Sequence, residues 1–236
     1  MDLMKTIFSV LLVSVFILIN PCYGQGLANS EGVKKITFQT EDNKILSGTW
    51  FGSGTTTIIF SHMKPDTQKD WEFFAIKLGK NGYRTFTFDF RGHGESEGKK
   101  KYSKNDADLV AAISYARREG AEKIVLIGAS MGAMATAKVA SLDSFSAVVL
   151  MAPYFGNKKY AGPNKSDIEK ISSPLFFISA SGDKSAKHAR QMFKLAKSSK
   201  EIKIFSGNDH GRKLLKHDHA KECENLIVFF LKKNSS

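Results

Sequence analysis

A serine framed by small residues, Gly128-Ala129-Ser130-Met131-Gly132, stands between two contrasting stretches. Before it runs Lys123-Ile124-Val125-Leu126-Ile127, which has the look of a buried strand; after it comes an Ala-rich helical pattern over residues 131–142. Between a strand and a helix, Gly-x-Ser-x-Gly makes a turn so tight that the flanking residues must be small. The hydroxyl is then pushed out at the sheet edge. Such a hydroxyl can attack a carbonyl if three further groups are at hand. A histidine must take its proton, an acid must fix the tautomer of that histidine, and backbone amides must receive the developing oxyanion. Gly182-Asp183 and Asp209-His210-Gly211 offer the acid and the base. Ser130, Asp183 and His210 thus come in the order serine, acid, histidine, each after a strand-like run.

The elements that must position these residues are legible as periodicities. Residues 33–39 and 44–51 read as two strands joined by Glu41-Asp42-Asn43, a hairpin signal. Further strands are predicted at 55–60, 83–88, 123–127, 145–151, 175–179 and 201–205. Helical spacing predicts helices at 69–80, 105–118, 131–142, 185–198 and about 213–232. Two antiparallel-looking strands followed by alternating strands and helices imply a three-layer α/β sandwich. Its eight-stranded sheet should be mostly parallel and covered by helices on both faces. In such sheets the ligand crevice lies beyond the carboxyl ends of the strands. Ser130, Asp183, His210 and the segment Ser61-His62-Met63-Lys64-Pro65 all fall at such ends.

These motifs, together with Asp89-Phe90-Arg91-Gly92-His93-Gly94-Glu95-Ser96, resemble those of the α/β-hydrolases, and the resemblance runs from about Val33 to the C-terminus. It implies a compact esterase- or lipase-like serine hydrolase with Ser130 as nucleophile, Asp183 as acid and His210 as base. It also implies an oxyanion hole of two backbone amides. One is that of Met131, and the other follows the third strand, where the family often shows His-Gly-x-Pro. Here that row reads His62-Met63-Lys64-Pro65, so the second amide falls on Lys64. Met63 stands where the family has glycine, and its side chain is expected to narrow the site. The cap that the family often inserts after the sixth strand is reduced to about residues 152–173, room for a loop or a short helical flap. Tyr154 and Phe155 could line the substrate pocket or anchor that flap.

Other polar residues have plainer readings. Asp89, Arg91 and His93 are expected to pin loops. Asp209 adjoins His210, but neighbouring side chains in an extended loop diverge, which favours Asp183 as the acid. His217 and His219 are expected on the polar side of the last helix, where a two-residue spacing shares no face and argues against a metal site. No cysteine–histidine cluster or dinucleotide fingerprint occurs, and no metal or organic cofactor is implied. Cys223 reads as a core filler.

The whole chain of 236 residues carries a formal charge of +12. That suits anionic substrates or anionic cell-surface material. The basic residues are dispersed, and no motif suggests specific nucleic-acid binding. Around the crevice edge fall Lys64, Lys99, Lys100, Lys101, Lys158, Lys159, Lys184, Lys187, Arg212 and Lys213. They form either a rim that draws in an anion or an ordinary solvated surface. At the N-terminus Lys5 precedes an apolar run over 6–19 and then Asn20-Pro21-Cys22-Tyr23-Gly24. This predicts a secretory signal over 1–24, a hydrolase domain over 25–236 and a secreted or periplasmic protein. The run is short for a membrane span. Three functions share these residues: a serine hydrolase of carboxylic esters, thioesters or amides; an acyltransferase or peptidase on the same three residues; and a non-catalytic binder on the same fold.

Overall fold

The computed structural model describes residues 32–235. The expected signal segment, 1–24, lies outside them. Eight strands form one sheet in the order β1-β2-β4-β3-β5-β6-β7-β8. β1 (Lys34–Gln39) and β2 (Ile45–Phe51) form an antiparallel hairpin at one edge, and β2 pairs antiparallel with β4 (Arg84–Phe88). The other five strands are β3 (Thr56–Ser61), β5 (Lys123–Ala129), β6 (Ala147–Met151), β7 (Leu175–Ala180) and β8 (Lys200–Phe205). They run parallel to β4 and to one another. The expected α/β architecture and strand count are those observed.

Side chains alternate across the sheet because successive residues of a strand point to opposite faces. Ile59 and Leu126 enter one core with Leu109, Ala112, Ala133 and Met192. That core lies against α2 (Asn105–Arg118), α3 (Met131–Ala140), α4 (Lys165–Lys170) and α5 (Ser185–Leu195). Ile58, Phe60, Val125 and Ile127 enter the other with Phe74, Leu78, Ile227 and Phe230. That one lies against α1 (Glu72–Lys80) and α6 (Ala220–Ser235). Strands buried on both faces read as continuous apolar runs, which is how 123–127 and 145–151 stood out. After β3 the chain crosses to β4 on one side and then returns to β5 on the other. The order therefore reverses between β3 and β5, and a crevice opens beyond their carboxyl ends.

Two expectations about helices need correction. The helix expected over 213–232 is broken: residues 211–215 form a 3₁₀ turn, and α6 begins only at Ala220. His217 and His219 therefore precede the helix. His217 Nδ1 lies 2.7 Å from Asp209 Oδ1, and His219 packs against Phe205. Asp209 is thus engaged with His217. The segment after β6 holds the six-residue helix α4, the short flap that its length allowed. Cys223 is buried, and burial pushes its thiol up to about 12, as a core filler requires.

Asp89 and Arg91 pin loops. The Asp89 carboxylate accepts from the Gln68 backbone N–H (2.7 Å), the Gln68 amide (3.0 Å) and the Glu95 N–H (3.1 Å). The buried Arg91 guanidinium donates to Asp108 (2.6 and 2.8 Å) and to Asp42 at the hairpin turn (2.7 and 2.9 Å). Asp108 has no solvent exposure, and burial holds its carboxyl above the usual range despite Arg91. Removing only one partner of such a pair leaves a buried charge uncompensated. Arg91→Met should therefore cost about 3–5 kcal/mol in urea denaturation. The double variant Arg91→Met/Asp108→Leu should lose less than Arg91→Met alone. Equal or greater loss in the double variant would refute this account of the pair.

Candidate active site

Ser130 occupies the turn between β5 and α3 with φ 49° and ψ −110°, a left-handed conformation that costs a non-glycine residue about 1–3 kcal/mol. Neighbouring backbone holds it there. Its N–H donates to the Met151 carbonyl of β6 (2.8 Å), and its carbonyl accepts the Met134 N–H (3.0 Å). The small flanking residues are a packing requirement. A Cβ on Gly132 would fall 2.2 Å from the Ser61 carbonyl oxygen, and one on Gly128 would fall 2.6 Å from the Gly132 carbonyl oxygen. The turn is thus wedged against the end of β3 with no room for a methyl group.

His210 reaches Ser130 from the loop after β8. Its Nε2 lies 2.8 Å from Ser130 Oγ, and its Nδ1 lies 2.8 Å from Asp183 Oδ2. A carboxylate can only accept, so the Nδ1 proton points to Asp183. In the neutral ring Nε2 is then free to accept the serine hydroxyl proton. Burial raises the Asp183 carboxyl. The Ser185 hydrogen bonds and the neighbouring His210 outweigh it, and the net shift is downward. Ser185 donates its N–H to Asp183 Oδ1 at 2.7 Å. The loops carrying Asp183 and His210 meet backbone to backbone: Gly182 N–H donates to the Gly207 carbonyl (2.8 Å), and Ser181 N–H to that of Phe205 (2.8 Å). The structure thus brings together three residues that the sequence separates by 80 positions.

Met131 opens α3, and the N–H of a first helical residue has no intrahelical acceptor. The Lys64 N–H has no acceptor among the described residues. Its orientation is set through His62. The buried His62 ring donates from Nδ1 to the Met63 carbonyl (2.9 Å) and accepts the Phe90 N–H at Nε2 (3.1 Å). A trans peptide is planar, with C=O and N–H opposed, so fixing the Met63 carbonyl turns the Lys64 N–H away from His62. Burial, the largest cause, and the nearby His93 lower His62 to about 4, outweighing the bond to the Met63 carbonyl, which favours the charged ring. The ring therefore stays neutral and keeps its acceptor.

Met63 does not narrow the site. It is buried in the core on the α1/α6 side, and its Sδ would lie 3.0 Å from a Cβ on Gly211. Its side chain runs beneath the His210 loop, where glycine at 211 (φ +56°) leaves space for it. Arg212 is likewise no rim residue. Its buried guanidinium donates to Asp66 (2.7 and 2.9 Å) and Asp70 (2.9 Å), clamping the His210 loop to the segment after Lys64. The basic spacing made it look like rim because the sequence does not show its acid partners, which lie more than 140 positions away. His93 donates from Nδ1 to the Arg91 carbonyl (3.1 Å) and stacks edge-on against His62, a loop-shaping role.

A cavity of about 580 Å³ opens at Ser130. Met134, Tyr154, Phe155, Tyr160 and His188 line it, with Lys64 at its margin. Tyr154 both lines the cavity and anchors the flap: its ring packs on His188 and its hydroxyl reaches Asp183 Oδ1 at 3.5 Å. His188 was not singled out in the sequence. Its signal is its position on the helix that directly follows the acid, five residues past Asp183. A larger groove of about 940 Å³ lies between the hairpin turn and α2, and it shares no residue with the Ser130 cavity.

The comparisons with known proteins agree with this architecture. Residues 55–166 match the family model of serine aminopeptidase, S33; this span holds Ser130 but neither Asp183 nor His210. The alpha/beta hydrolase domain-containing protein 17B of Xenopus laevis is 29% identical over 147 residues, which is 56% of this chain and 51% of that protein. The chain spans about half the length of the curated relatives it matches. Among solved structures, an esterase of Pyrococcus furiosus superposes with a TM-score of 0.72 at 22% identity, covering 86% of this chain and 93% of that one. A monoacylglycerol lipase of Paleococcus ferrophilus gives 0.70 at 17%, covering 80% and 99%. The chain has the α/β-hydrolase fold.

Two outcomes test the site's construction. Gly132→Val should yield a protein that fails to fold or loses several kcal/mol, read by thermal denaturation; a fold of wild-type stability would refute the wedge. Because His62 is lowered in the folded state, the unfolded chain binds the extra proton between pH 6.5 and about 4. Stability should fall as pH drops through that window, by up to about 3 kcal/mol. The urea midpoint should lose part of this slope in His62→Asn, and an unchanged slope would contradict the assignment.

Proposed function

We propose that this chain of α/β-hydrolase fold is a serine hydrolase of carboxylic esters working through an acyl-Ser130 intermediate. The observation that carries the reading is the unbroken line Asp183 Oδ2–His210 Nδ1, His210 Nε2–Ser130 Oγ, with both contacts at 2.8 Å. It is supported by a cavity at the hydroxyl and by two amides beside it that have no acceptor among the described residues.

In this mechanism His210 Nε2 takes the hydroxyl proton as Ser130 Oγ bonds to the ester carbonyl carbon. The carbonyl π electrons move to oxygen, and the Lys64 and Met131 amides receive that negative charge. Asp183 holds the ring in place and stabilises its charged form without itself taking the proton. As the tetrahedral adduct collapses, the carbon–alkoxy bond breaks and His210 gives its proton to the leaving alcohol. Water then enters, loses a proton to His210 and attacks the acyl carbon. Collapse releases the carboxylic acid and returns the proton to Ser130. The strained turn keeps Oγ exposed at the crevice, so the serine needs no rearrangement before attack.

A fluorophosphonate probe should label the wild-type protein and leave Ser130→Ala unlabelled. His210→Ala should label at least about a hundred-fold more slowly, since general-base assistance contributes roughly 10²–10⁴. A panel of p-nitrophenyl esters and aminoacyl amides then separates esterase from peptidase, with esters expected to turn over. A folded wild type that neither labels nor hydrolyses any member would overturn the reading.

A further inference from the structure

Two lysines beside the Ser130 cavity are held in place by aromatic rings. Tyr102 and Tyr160 stack with centroids 4.8 Å apart and planes 27° from parallel. The Lys64 ammonium lies 5.5 Å from the Tyr102 centroid, and the Lys159 ammonium lies 5.8 Å from Tyr102 and 5.5 Å from Tyr160. Lys64 and Tyr160 also line the cavity that opens at Ser130. An ammonium over a ring face is attracted by its quadrupole, which restrains a side chain that would otherwise sweep through solvent.

These two charges have no carboxylate partner among the described residues, and four acids of the same edge are engaged with other groups. Asp66 and Asp70 bind Arg212, Asp209 binds His217, and Asp183 binds His210. Elsewhere on the molecule many lysines are paired, such as Lys77 with Glu224 and Lys138 with Asp167. The exposed lysines of the same margin, including Lys100, Lys101 and Lys158, likewise have no carboxylate partner among the described residues. A crevice rimmed by charge of one sign concentrates ligands of the other.

We propose that Lys64 and Lys159, held over the Tyr102–Tyr160 pair, form an anion subsite that selects a short ester bearing a carboxylate or phosphate group. This rests on the serine-hydrolase reading of the same cavity. Lys64 then serves twice. Its backbone N–H receives the oxyanion, and its ammonium, one side-chain length away, meets the substrate's fixed charge. The Tyr154–Phe155–His188 wall takes the uncharged remainder.

The test uses matched esters, each rate divided by that ester's hydroxide-catalysed rate to remove intrinsic reactivity. On the acyl side, mono-p-nitrophenyl glutarate is compared with p-nitrophenyl pentanoate. On the alcohol side, 3-acetoxypropanoate and 3-acetoxypropyl phosphate are compared with propyl acetate, which distinguishes carboxylate from phosphate. At low ionic strength the anionic member of at least one series should have a kcat/KM about five-fold higher, the scale of two exposed charge pairs. That ratio should fall toward one in 1 M NaCl, where the screening length is about 3 Å. It should also fall toward one in Lys64→Gln/Lys159→Gln, which keeps the backbone amide. Equal turnover of charged and neutral esters, or a preference that survives the double substitution, overturns the subsite alone, provided that the turnover is lost in Ser130→Ala. Absence of Ser130-dependent turnover of every ester overturns the subsite and the hydrolase reading together.

Discussion

Gly132 approaches the backbone of Ser61 and His62 so closely that a single methyl group would fall 2.2 Å from a carbonyl oxygen. The rest of the site depends on that approach. It joins the turn carrying the Ser130 hydroxyl to the end of β3, and β3 leads directly into the segment whose Lys64 N–H has no acceptor among the described residues. With β3 and β5 adjacent and parallel, the two amides and the hydroxyl issue from neighbouring strand ends. The backbone strain at Ser130 is carried by this packing and by bonds to β6 and α3, so the sheet holds the serine in a conformation that an isolated turn would leave.

A second set of contacts brings His210. The loops after β7 and β8 meet through main-chain bonds, where the missing side chain of Gly182 leaves room for the Asn208 amide and the Gly207 carbonyl. Arg212 then ties the histidine loop across to Asp66 and Asp70. His62 performs the matching task on the other side, with one ring nitrogen on the Met63 carbonyl and the other on the Phe90 amide. The site is therefore positioned by three buried polar clusters, around Arg212, His62 and Asp89, and each joins loops distant in sequence. In an interior of low dielectric such groups must be satisfied together, which links the order of one loop to that of the next.

Much of this was legible in the sequence because it is local. Continuous apolar runs marked the buried strands, and the helix over residues 105–118 appeared with its observed bounds because its apolar positions recur at helical spacing. The serine turn was readable because its glycines are demanded by contacts within a few residues and against the adjoining strand. What escaped was set by distant partners. Arg212 looked like a rim charge until Asp66 and Asp70 folded onto it. Met63 looked like a wall of the site, but the space left by Gly211 let its side chain turn into the core. His188 gave no motif because its role comes only from where α5 begins. His217 and His219 were assigned to a helix that breaks before Ala220, since the apolar residues Leu214 and Leu215 continue the pattern through a 3₁₀ turn.

In the proposed mechanism the wedged turn makes Ser130 Oγ the atom to which the acyl group is transferred. The most direct measurement is to quench the enzyme within milliseconds of mixing with excess p-nitrophenyl acetate, digest it and weigh the peptides. The account predicts an initial burst of p-nitrophenol matching the enzyme concentration, and one acetyl group on the peptide carrying Ser130. Steady turnover with no acyl adduct, or an adduct confined to another residue such as Lys64, would contradict it.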